Sequence, residues 1–310
     1  MKSKHLIIPG LAKAGTTFLY DQLKSNEAVF NLPVYKETDY FASRKTFEDW
    51  GKFWKSAEAD KWCLDISPSY MNRDAEKVHN LSKCLSDREV KVVVCLRNPF
   101  EQIYSYYLHD LKALWSRLDL PLRERNYHLF SKQAKVKFIR RFEMVKHLHD
   151  VFGSENVIGL NQKSTYSNLA RDTISNLISE DLNEFDVESR SNPGGWLPFF
   201  IYDKNKDVEY CDGQDVFLVP KGTLLCVNGD RSRLYRDFPV RKAENIIIDS
   251  QTWTRQAVYD KAIYQDVIED YNQICDLLNV EPEMPKKNVI VAKNAELSLS
   301  VKEQLVKVSS

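Results

Sequence analysis

The chain has 310 residues, and its 44 basic and 44 acidic side chains give a formal net charge of zero. This length predicts one large domain or two small ones, and the neutral balance argues against a protein that binds nucleic acid over its whole surface. No apolar run approaches the roughly 20 residues of a membrane-spanning helix, and the apolar stretch at the N-terminus is too short for a signal peptide.

The six cysteines are scattered along the chain and form no CxxC pair. This pattern favours free thiols in a reducing compartment over a zinc site or a disulfide framework. We therefore expect a cytoplasmic protein. A bridge between Cys211 and Cys226 is the alternative if the protein meets an oxidising compartment.

Strands alternate with helices along most of the chain, which predicts an α/β fold with a parallel sheet. A first strand at 5–9 and a short strand in KWCLDISPSY precede the clearest one, whose run from Val92 to Leu96 has no polar interruption. Such a run is typical of a central parallel strand that is buried on both faces. The segment RRFEMVKHLHDVFGSENVIGL predicts a helix, a glycine stop and a further strand. Helices are predicted at 16–25, 46–59, 72–86, 99–113, 168–179 and 255–279.

We expect a single domain over 1–285, with a central, mainly parallel sheet flanked by helices. Residues 193–250 differ in composition, since Gly, Pro and short apolar runs such as VFLVP and NIIID predict turns or a small antiparallel sheet. This stretch is a candidate acceptor or lid region. The polar residues 286–310 predict a peripheral tail.

The loop after the first strand has the chemistry of an anion site. It reads G-x-x-K-x-G-T-T from Gly10 to Thr17, and it lies where the carboxyl end of a strand meets a helix N-terminus. The spacing differs from the triphosphate-binding loop GxxxxGK[ST], because Lys13 precedes the second glycine. Taken alone, the loop is also compatible with a tight turn that carries an incidental lysine.

A second candidate anion site follows the strand Val92–Leu96. Arg97 leaves the strand tip, and Ser105 follows eight residues later on the next predicted helix. Arginine is suited to bidentate phosphate binding, although an arginine at a strand end and a serine on a solvated face are common. Two anion sites at strand ends of one sheet predict a ligand with two separated anionic groups.

These motifs resemble those of the sulfotransferases that use 3′-phosphoadenosine 5′-phosphosulfate (PAPS). The loop G-x-x-K-x-G-T-T resembles their 5′-phosphosulfate loop, and L-R-N-P-x6-S resembles their 3′-phosphate motif. Three weaker matches follow in the right order. YKETDYF resembles the K-E-x-x-x-F segment of the carbohydrate (heparan-type) and bacterial members. DISPSY resembles the E-K-S-P-x-Y segment, and YNQICDLLNV resembles the closing helix. The resemblance covers about 5–110, with fainter matches at 143–183 and 255–280.

The resemblance implies a P-loop-like sulfotransferase fold and a transfer of the sulfuryl group from PAPS to a hydroxyl, with release of the 3′,5′-bisphosphate PAP and no metal. It implies that Lys13 contacts the bridging oxygen and that Glu37 is the catalytic base. Phe18 stands where some relatives stack a Trp beside adenine, although an apolar residue there is more often core. The implied donor-binding residues are Lys13, Ala14, Gly15, Thr16, Thr17, Phe18, Arg97 and Ser105.

Some positions depart from the family pattern or stay open. Ile66 stands where E-K-S-P-x-Y has its lysine, which removes one cation from the predicted active site. Two roles stay open for Lys36: it orients the sulfonate, or it is an ordinary surface lysine. His79 and His109 are alternative bases without a matching motif. The stretch GDRSRLYRDFPVRK is compatible with a solvated hairpin or with a loop whose arginines close on the 3′-phosphate: Arg231, Arg233 and Arg241.

The K-E segment favours a saccharide or glycoconjugate hydroxyl as the acceptor, and a small-molecule or lipid-linked hydroxyl is the nearest rival. A basic stretch from Lys112 to His149 is compatible with an anionic acceptor or with a solvated helix face. Aromatic residues in NPGGWLPFFIY are compatible with an acceptor pocket or with the core. A nucleotide kinase and a non-catalytic nucleotide-binding module are the alternatives from other classes.

Overall fold

The computed structural model describes residues 3–43, 50–54, 58–72, 75–99, 101–103, 105–106, 141–189, 196–203, 215–220, 246–250 and 261–283. The chain divides into two compact units. The first comprises Met1–Gln102, Lys135–Pro193 and Tyr264–Pro285, and the second comprises Ile103–Ala134, Gly194–Ile263 and Lys286–Ser310.

Parallel strands form the sheet of the first unit, in the order β2-β3-β1-β4-β5. The predicted α/β class with a central parallel sheet flanked by helices is confirmed. Strand order reverses beside β1, and in such sheets ligands bind outside the carboxyl ends of the strands at this switch point. The strands are β1 (Lys4–Ile8), β2 (Phe30–Asn31), β3 (Trp62–Ile66), β4 (Glu89–Cys95) and β5 (Val157–Leu160).

The α-helices with both ends among the described residues are α1 (Thr16–Leu23), α2 (Ala75–Leu85), α3 (Arg141–Phe152), α4 (Gln162–Thr165), α5 (Asn168–Ile178) and α6 (Lys261–Leu277). Apolar residues at helical spacing bury one face of α2, as its sequence predicts: Val78, Leu81 and Leu85. None of the described helices combines the length and the apolar composition that crossing a membrane requires.

The central strands carry the core. The apolar residues of β1 from Leu6 to Ile8 and those of β4 from Val92 to Cys95 are fully buried. Burial of apolar surface contributes about 25 cal/mol per Å² to stability, so these strands fix the position of the loops that leave their carboxyl ends. The thiols of Cys63, Cys84, Cys95 and Cys275 are free, whereas Cys211 and Cys226 lie outside the described residues.

Several predicted bounds differ from the structure. The helix predicted at 16–25 ends at Leu23, because Ser25 Oγ and Asn26 Nδ2 donate to Gln22 O and so satisfy a carbonyl of its last turn. Within the helix predicted at 46–59, residues Gly51–Trp54 form a 3₁₀ turn. The two-residue strand β2 and the one-turn helix α4 are too short for any periodicity to predict.

In the second unit, three antiparallel strands form a sheet in the order β7-β6-β8. They are β6 (Trp196–Asp203), β7 (Asp215–Pro220) and β8 (Ile246–Ser250). All three strands lie within residues 193–250, the stretch whose composition differs from that of the rest of the chain. Its role as an acceptor or lid region, and the domain limits 1–285 and 286–310, stay predictions.

One buried histidine predicts how the fold responds to acid. His5 lies in β1, is 3% exposed and stacks against Trp50 with ring centroids 4.9 Å apart. Burial first, and the nearby Arg88 second, lower the pKa of His5 from 6.5 to about 4. The unfolded chain therefore gains a proton between these pH values and the folded chain does not, so stability falls as pH falls through this window.

We expect the free energy of unfolding to drop by about 3 kcal/mol between pH 7 and pH 4 through His5 alone. Urea unfolding of the parent and of His5→Gln at both pH values measures the contribution of His5. The free energy of unfolding of the variant should decrease less between pH 7 and pH 4, and the difference should be most of these roughly 3 kcal/mol. An equal decrease in the parent and the variant would contradict the role of His5. Comparing the two proteins at pH 7 shows how much the substitution itself changes stability.

Candidate active site

The loop between β1 and α1 ends in a helix N-terminus that suits an anion. Gly15 has a left-handed backbone (φ 105), and a Cβ there would lie 2.6 Å from Thr165 Cγ2, so the position requires glycine. The helix begins its hydrogen bonding with Leu19 N to Gly15 O. The amides of Thr16, Thr17 and Phe18 precede this bond, and the first turn carries no acidic residue and no side-chain cap. Unsatisfied amides and the helix dipole favour an anion here.

The end of β4 holds the same loop in place. Arg97 Nη1 donates to Lys13 O at 2.9 Å, and Gln102 Nε2 donates to Ala12 O. Leu11 N donates to Cys95 O at 2.8 Å. The first two contacts occupy carbonyl oxygens of the loop, and the third uses one of its amides. The structure thus brings together Lys13 and Arg97, the key residues of the two motifs that the sequence placed at strand ends.

Arg97 is tied to this corner by charge as well, because Arg97 Nη2 lies 3.8 Å from Glu101 Oε2. Its side chain is 17% exposed. Binding of a phosphate by Arg97 stays a prediction.

A buried arginine supports the loop from behind, and sequence reasoning missed it. Arg141 is 3% exposed and its Nη1 donates to Gln102 Oε1 at 2.8 Å. The carboxylate of Asp270 accepts from the amides of Arg141 and Phe142 at the start of α3. A chain of hydrogen bonds therefore runs from α3 through Gln102 to the carbonyl of Ala12. No local motif marks it, since its members are far apart in sequence.

The K-E segment lies against the N-terminus of α1. Lys36 Nζ donates to Thr17 Oγ1 at 2.8 Å and lies 3.2 Å from Glu37 Oε1. It also lies 6.0 Å from the centre of the Tyr20 ring. Glu37 itself is 41% exposed. The structure thus joins the predicted base segment to the predicted donor loop through one lysine.

Four of the predicted donor-binding residues are buried: Ala14, Gly15, Thr16 and Phe18. Ala14 is 0% exposed, and its amide donates to Leu11 O at 3.2 Å. The Phe18 ring is 5% exposed and packs against Tyr166 and Phe185, with centroids 5.0 and 6.3 Å away. These contacts show Phe18 as a core residue of the loop's helix. Whether it also touches an adenine ring stays a prediction.

The segment DISPSY places a buried carboxyl beneath the K-E segment. Asp65 is 0% exposed. Its Oδ1 accepts from Ser67 Oγ at 2.7 Å, and its Oδ2 accepts from Tyr70 OH and Thr38 Oγ1, each at 2.9 Å. Burial raises the pKa of Asp65, and the three hydroxyl donors oppose this rise. Ile66, which replaces the family's lysine, is fully buried in the core.

Other sequence candidates lie elsewhere. Ser105 is a half-buried helical residue of the second unit. His79 of α2 stacks on His147 of α3 with centroids 4.1 Å apart. Lys146 of the basic stretch pairs with Asp150 at 2.5 Å, as on a solvated helix face. The remaining candidates lie outside the described residues or have no described side chains: His109, Arg231, Arg233, Arg241 and the aromatic residues of NPGGWLPFFIY.

Comparison with known proteins finds 18 chains of solved structures to which this chain is similar, including the following two. One is a sulfotransferase from Alicyclobacillus acidocaldarius, with a TM-score of 0.47, 18% sequence identity, and coverage of 62% of this chain and 88% of that one. The other is the sulfotransferase domain of the Synechococcus PCC 7002 olefin synthase, with a TM-score of 0.41, 13% identity, and coverage of 62% and 80%. No curated protein matches the chain.

The family model of the sulfotransferase domain matches residues 3–158, just over half of the 310 residues. The matched part includes β1 through β4 and the start of β5, and therefore the loop, the K-E segment and the strand end at Arg97. The chain therefore belongs to the sulfotransferase domain family and is a sulfotransferase.

Proposed function

We propose that this sulfotransferase takes its sulfuryl group from PAPS and passes it to a hydroxyl acceptor, most favourably on a saccharide, by in-line displacement. The observation that carries the proposal is the hydrogen bond from Lys36 Nζ to Thr17 Oγ1. It joins the segment of the candidate base Glu37 to the helix N-terminus that suits the donor's anion. Donor and acceptor groups then meet at one place, as displacement requires.

The loop residues fit a 5′-phosphosulfate. The amides of Thr16 and Thr17 and their hydroxyls would hold the 5′-phosphate at the N-terminus of α1, where no acidic residue opposes it. Lys13 would neutralise the charge that builds on the bridging oxygen as the S–O bond breaks. Arg97 would bind the 3′-phosphate, and the part assigned to Ser105 by the sequence motif stays a prediction. When bound, PAPS would supply an activated sulfuryl group, so the protein itself needs to supply only position and charge.

Glu37 would take the proton of the acceptor hydroxyl, and general-base help of this kind contributes about 10²–10⁴-fold to a rate. Its partial exposure leaves an approach for the acceptor. Lys36, between Thr17 and Glu37, would face the sulfonate as negative charge spreads over its oxygens. These two residues together make the site suited to attack by a neutral hydroxyl.

Binding of the bisphosphate product tests the donor assignment. Calorimetry should show that PAP binds at least about tenfold more tightly than ATP with Mg²⁺, because the loop lacks the GK[ST] step that places a hydroxyl on the metal. Arg97→Ala should weaken the binding of PAP more than the binding of adenosine 5′-phosphate, because the latter has no 3′-phosphate. Tighter binding of ATP with Mg²⁺ would favour the kinase alternative. Tight PAP binding without transfer to any acceptor would favour the non-catalytic module.

Two exposed apolar residues directly precede the K-E segment and suit an acceptor. Tyr35 is 66% exposed and Val34 is 75% exposed. An exposed tyrosine offers an apolar face and a hydroxyl together, which matches the mixed polar and apolar faces of a sugar ring. This position beside Glu37, together with the resemblance of the segment to carbohydrate sulfotransferases, supports a saccharide over a small or lipid-linked acceptor.

Tyr35→Ala should raise the KM for a saccharide acceptor about two- to tenfold, which corresponds to the roughly 0.5–1.5 kcal/mol typical of one aromatic contact. The KM for PAPS should stay within twofold of the parent value. Leu169→Ala, which removes another exposed apolar side chain (56% exposed, in α5), is the matched control. An unchanged acceptor KM in Tyr35→Ala, or an equal rise in the control, would contradict this acceptor surface.

A further inference from the structure

The backbone that follows Glu37 is held by hydroxyl groups rather than by a strand or a helix. The amides of Thr38 and Asp39 donate to Ser67 Oγ at 3.0 and 3.1 Å. The amide of Tyr40 donates to Tyr70 OH at 3.2 Å and also lies 3.5 Å from Thr38 Oγ1. Three consecutive backbone amides therefore donate to side-chain oxygens, and two of these oxygens come from the segment after β3.

Asp65 determines how these two oxygens point. A hydroxyl has one proton and two lone pairs. Ser67 gives its proton to Asp65 Oδ1, so its lone pairs face the amides of Thr38 and Asp39. Tyr70 OH lies 2.9 Å from Asp65 Oδ2 and accepts from the amide of Tyr40. The carboxyl thus turns both hydroxyls into acceptors for the K-E segment.

The side chain of Thr38 closes the network from the other side. Thr38 Oγ1 lies 2.9 Å from Asp65 Oδ2 and 2.6 Å from Tyr70 OH. The segment is therefore tied to Asp65 both through its backbone and through a side chain. Since Asp65 and Ser67 are 0% exposed, water does not compete for these bonds, and each bond is stronger than its equivalent in water.

Glu37 lies between two anchors. On one side Lys36 Nζ bonds to Thr17 Oγ1, and on the other side residues 38–40 bond to Ser67 and Tyr70. We propose that Asp65 is a positioning residue, which acts through Ser67 and Tyr70 to hold Glu37 against the N-terminus of α1. The inference rests on the proposed role of Glu37 as the base. It also explains why the segment DISPSY retains an acid, a serine and a tyrosine although its lysine position is Ile66.

Kinetics of Asp65→Asn test the proposal. The amide keeps the shape of the carboxyl group but replaces one of its two hydrogen-bond acceptors by a donor. Tyr70→Phe is the second variant and removes only the hydroxyl. We expect kcat to fall about 10- to 100-fold in each, as expected when a reacting group is misplaced by about an ångström. The KM for PAPS and the affinity for PAP should stay within twofold, because the loop and α1 are untouched.

Ser82→Ala is the matched control, since it removes another buried hydroxyl, one that bonds to His147 Nε2 at 2.8 Å. It should leave kcat unchanged. A purely structural role for Asp65 predicts instead that kcat and PAP affinity fall together and in step with the melting temperature. Unchanged kcat in both variants, or such a parallel loss, would overturn the proposal.

A double variant separates this inference from the assignment of the base. If Asp65 acts through Glu37, adding Asp65→Asn to Glu37→Gln should cause no further loss of kcat, whereas additive losses contradict the proposal. Hydrogen exchange tests the positioning independently of enzyme activity. The backbone amides of residues 38–40 should exchange at least about tenfold faster in Asp65→Asn than in the parent. Unchanged exchange there overturns the inference. Full activity of Glu37→Gln alone would refute the proposed base and leave the exchange result to decide on Asp65.

Discussion

Removing the side chain of Lys13 is expected to lower kcat by about 10²–10³-fold, the cost of deleting one donor to a developing negative charge. Lys13 has a left-handed backbone (φ 65), so Lys13→Gly removes the side chain without adding strain. PAP affinity should fall much less, because the amides at the start of α1 remain. The predicted pattern is a loss of kcat with a small change in KM for PAPS.

Single-turnover rates with PAPS and a saccharide acceptor measure this effect directly. Lys24→Ala is the matched control, since Lys24 follows α1 at its other end and pairs with Asp21 at 2.5 Å. It should transfer at the parent rate. A Lys13→Gly variant that keeps full turnover would remove Lys13 from the chemistry, and one that loses PAP binding altogether would assign it to binding alone.

Glu37→Gln is expected to lower kcat by about 10²–10⁴-fold while the KM for PAPS stays the same, because the amide keeps the shape but cannot take a proton at neutral pH. The loss should depend on the acceptor. A phenol, whose hydroxyl is more acidic than that of a sugar, needs less help from a base. The variant should therefore lose less with a nitrophenol than with a saccharide.

Glu27→Gln, at an exposed position before β2, is the control and should be fully active. Equal losses with both acceptors would show that Glu37 does not act as a base, even if it is needed for activity. Turnover of Glu37→Gln at the parent rate with a saccharide would contradict its role outright, and would return attention to His79 and His109.

The proximity of the two motifs was predictable because each motif is local in sequence and the parallel topology brings them together. A buried apolar run followed by glycines and a helix start puts Lys13 just after the carboxyl end of β1. The apolar run of β4 puts Arg97 just after the carboxyl end of that strand. In a parallel sheet these strand ends lie at the same edge. The contact from Arg97 Nη1 to Lys13 O follows from that rule. The sequence alone does not give its atomic pairing, which depends on how the loop turns at Gly15.

Contacts between segments far apart in sequence were not predictable. Thr38 and Asp65 are 27 residues apart, and Gln102 and Arg141 are 39 apart. Hydroxyl and carboxyl side chains at such separations give no periodic signal, and each is equally common on a solvated surface. Motif resemblance pointed to DISPSY, but only the packing of its hydroxyls against residues 38–40 gives the segment a physical role.

Transfer of radiolabelled sulfuryl from PAPS to a panel of saccharide, lipid-linked and small phenolic acceptors tests the central claim most directly, with PAP measured in the same reaction. We expect labelled product on a saccharide hydroxyl, one PAP released for each product formed, and neither in Lys13→Gly. Absence of labelled product from every hydroxyl acceptor by a protein that binds PAP, or equal transfer by Lys13→Gly, would contradict the account.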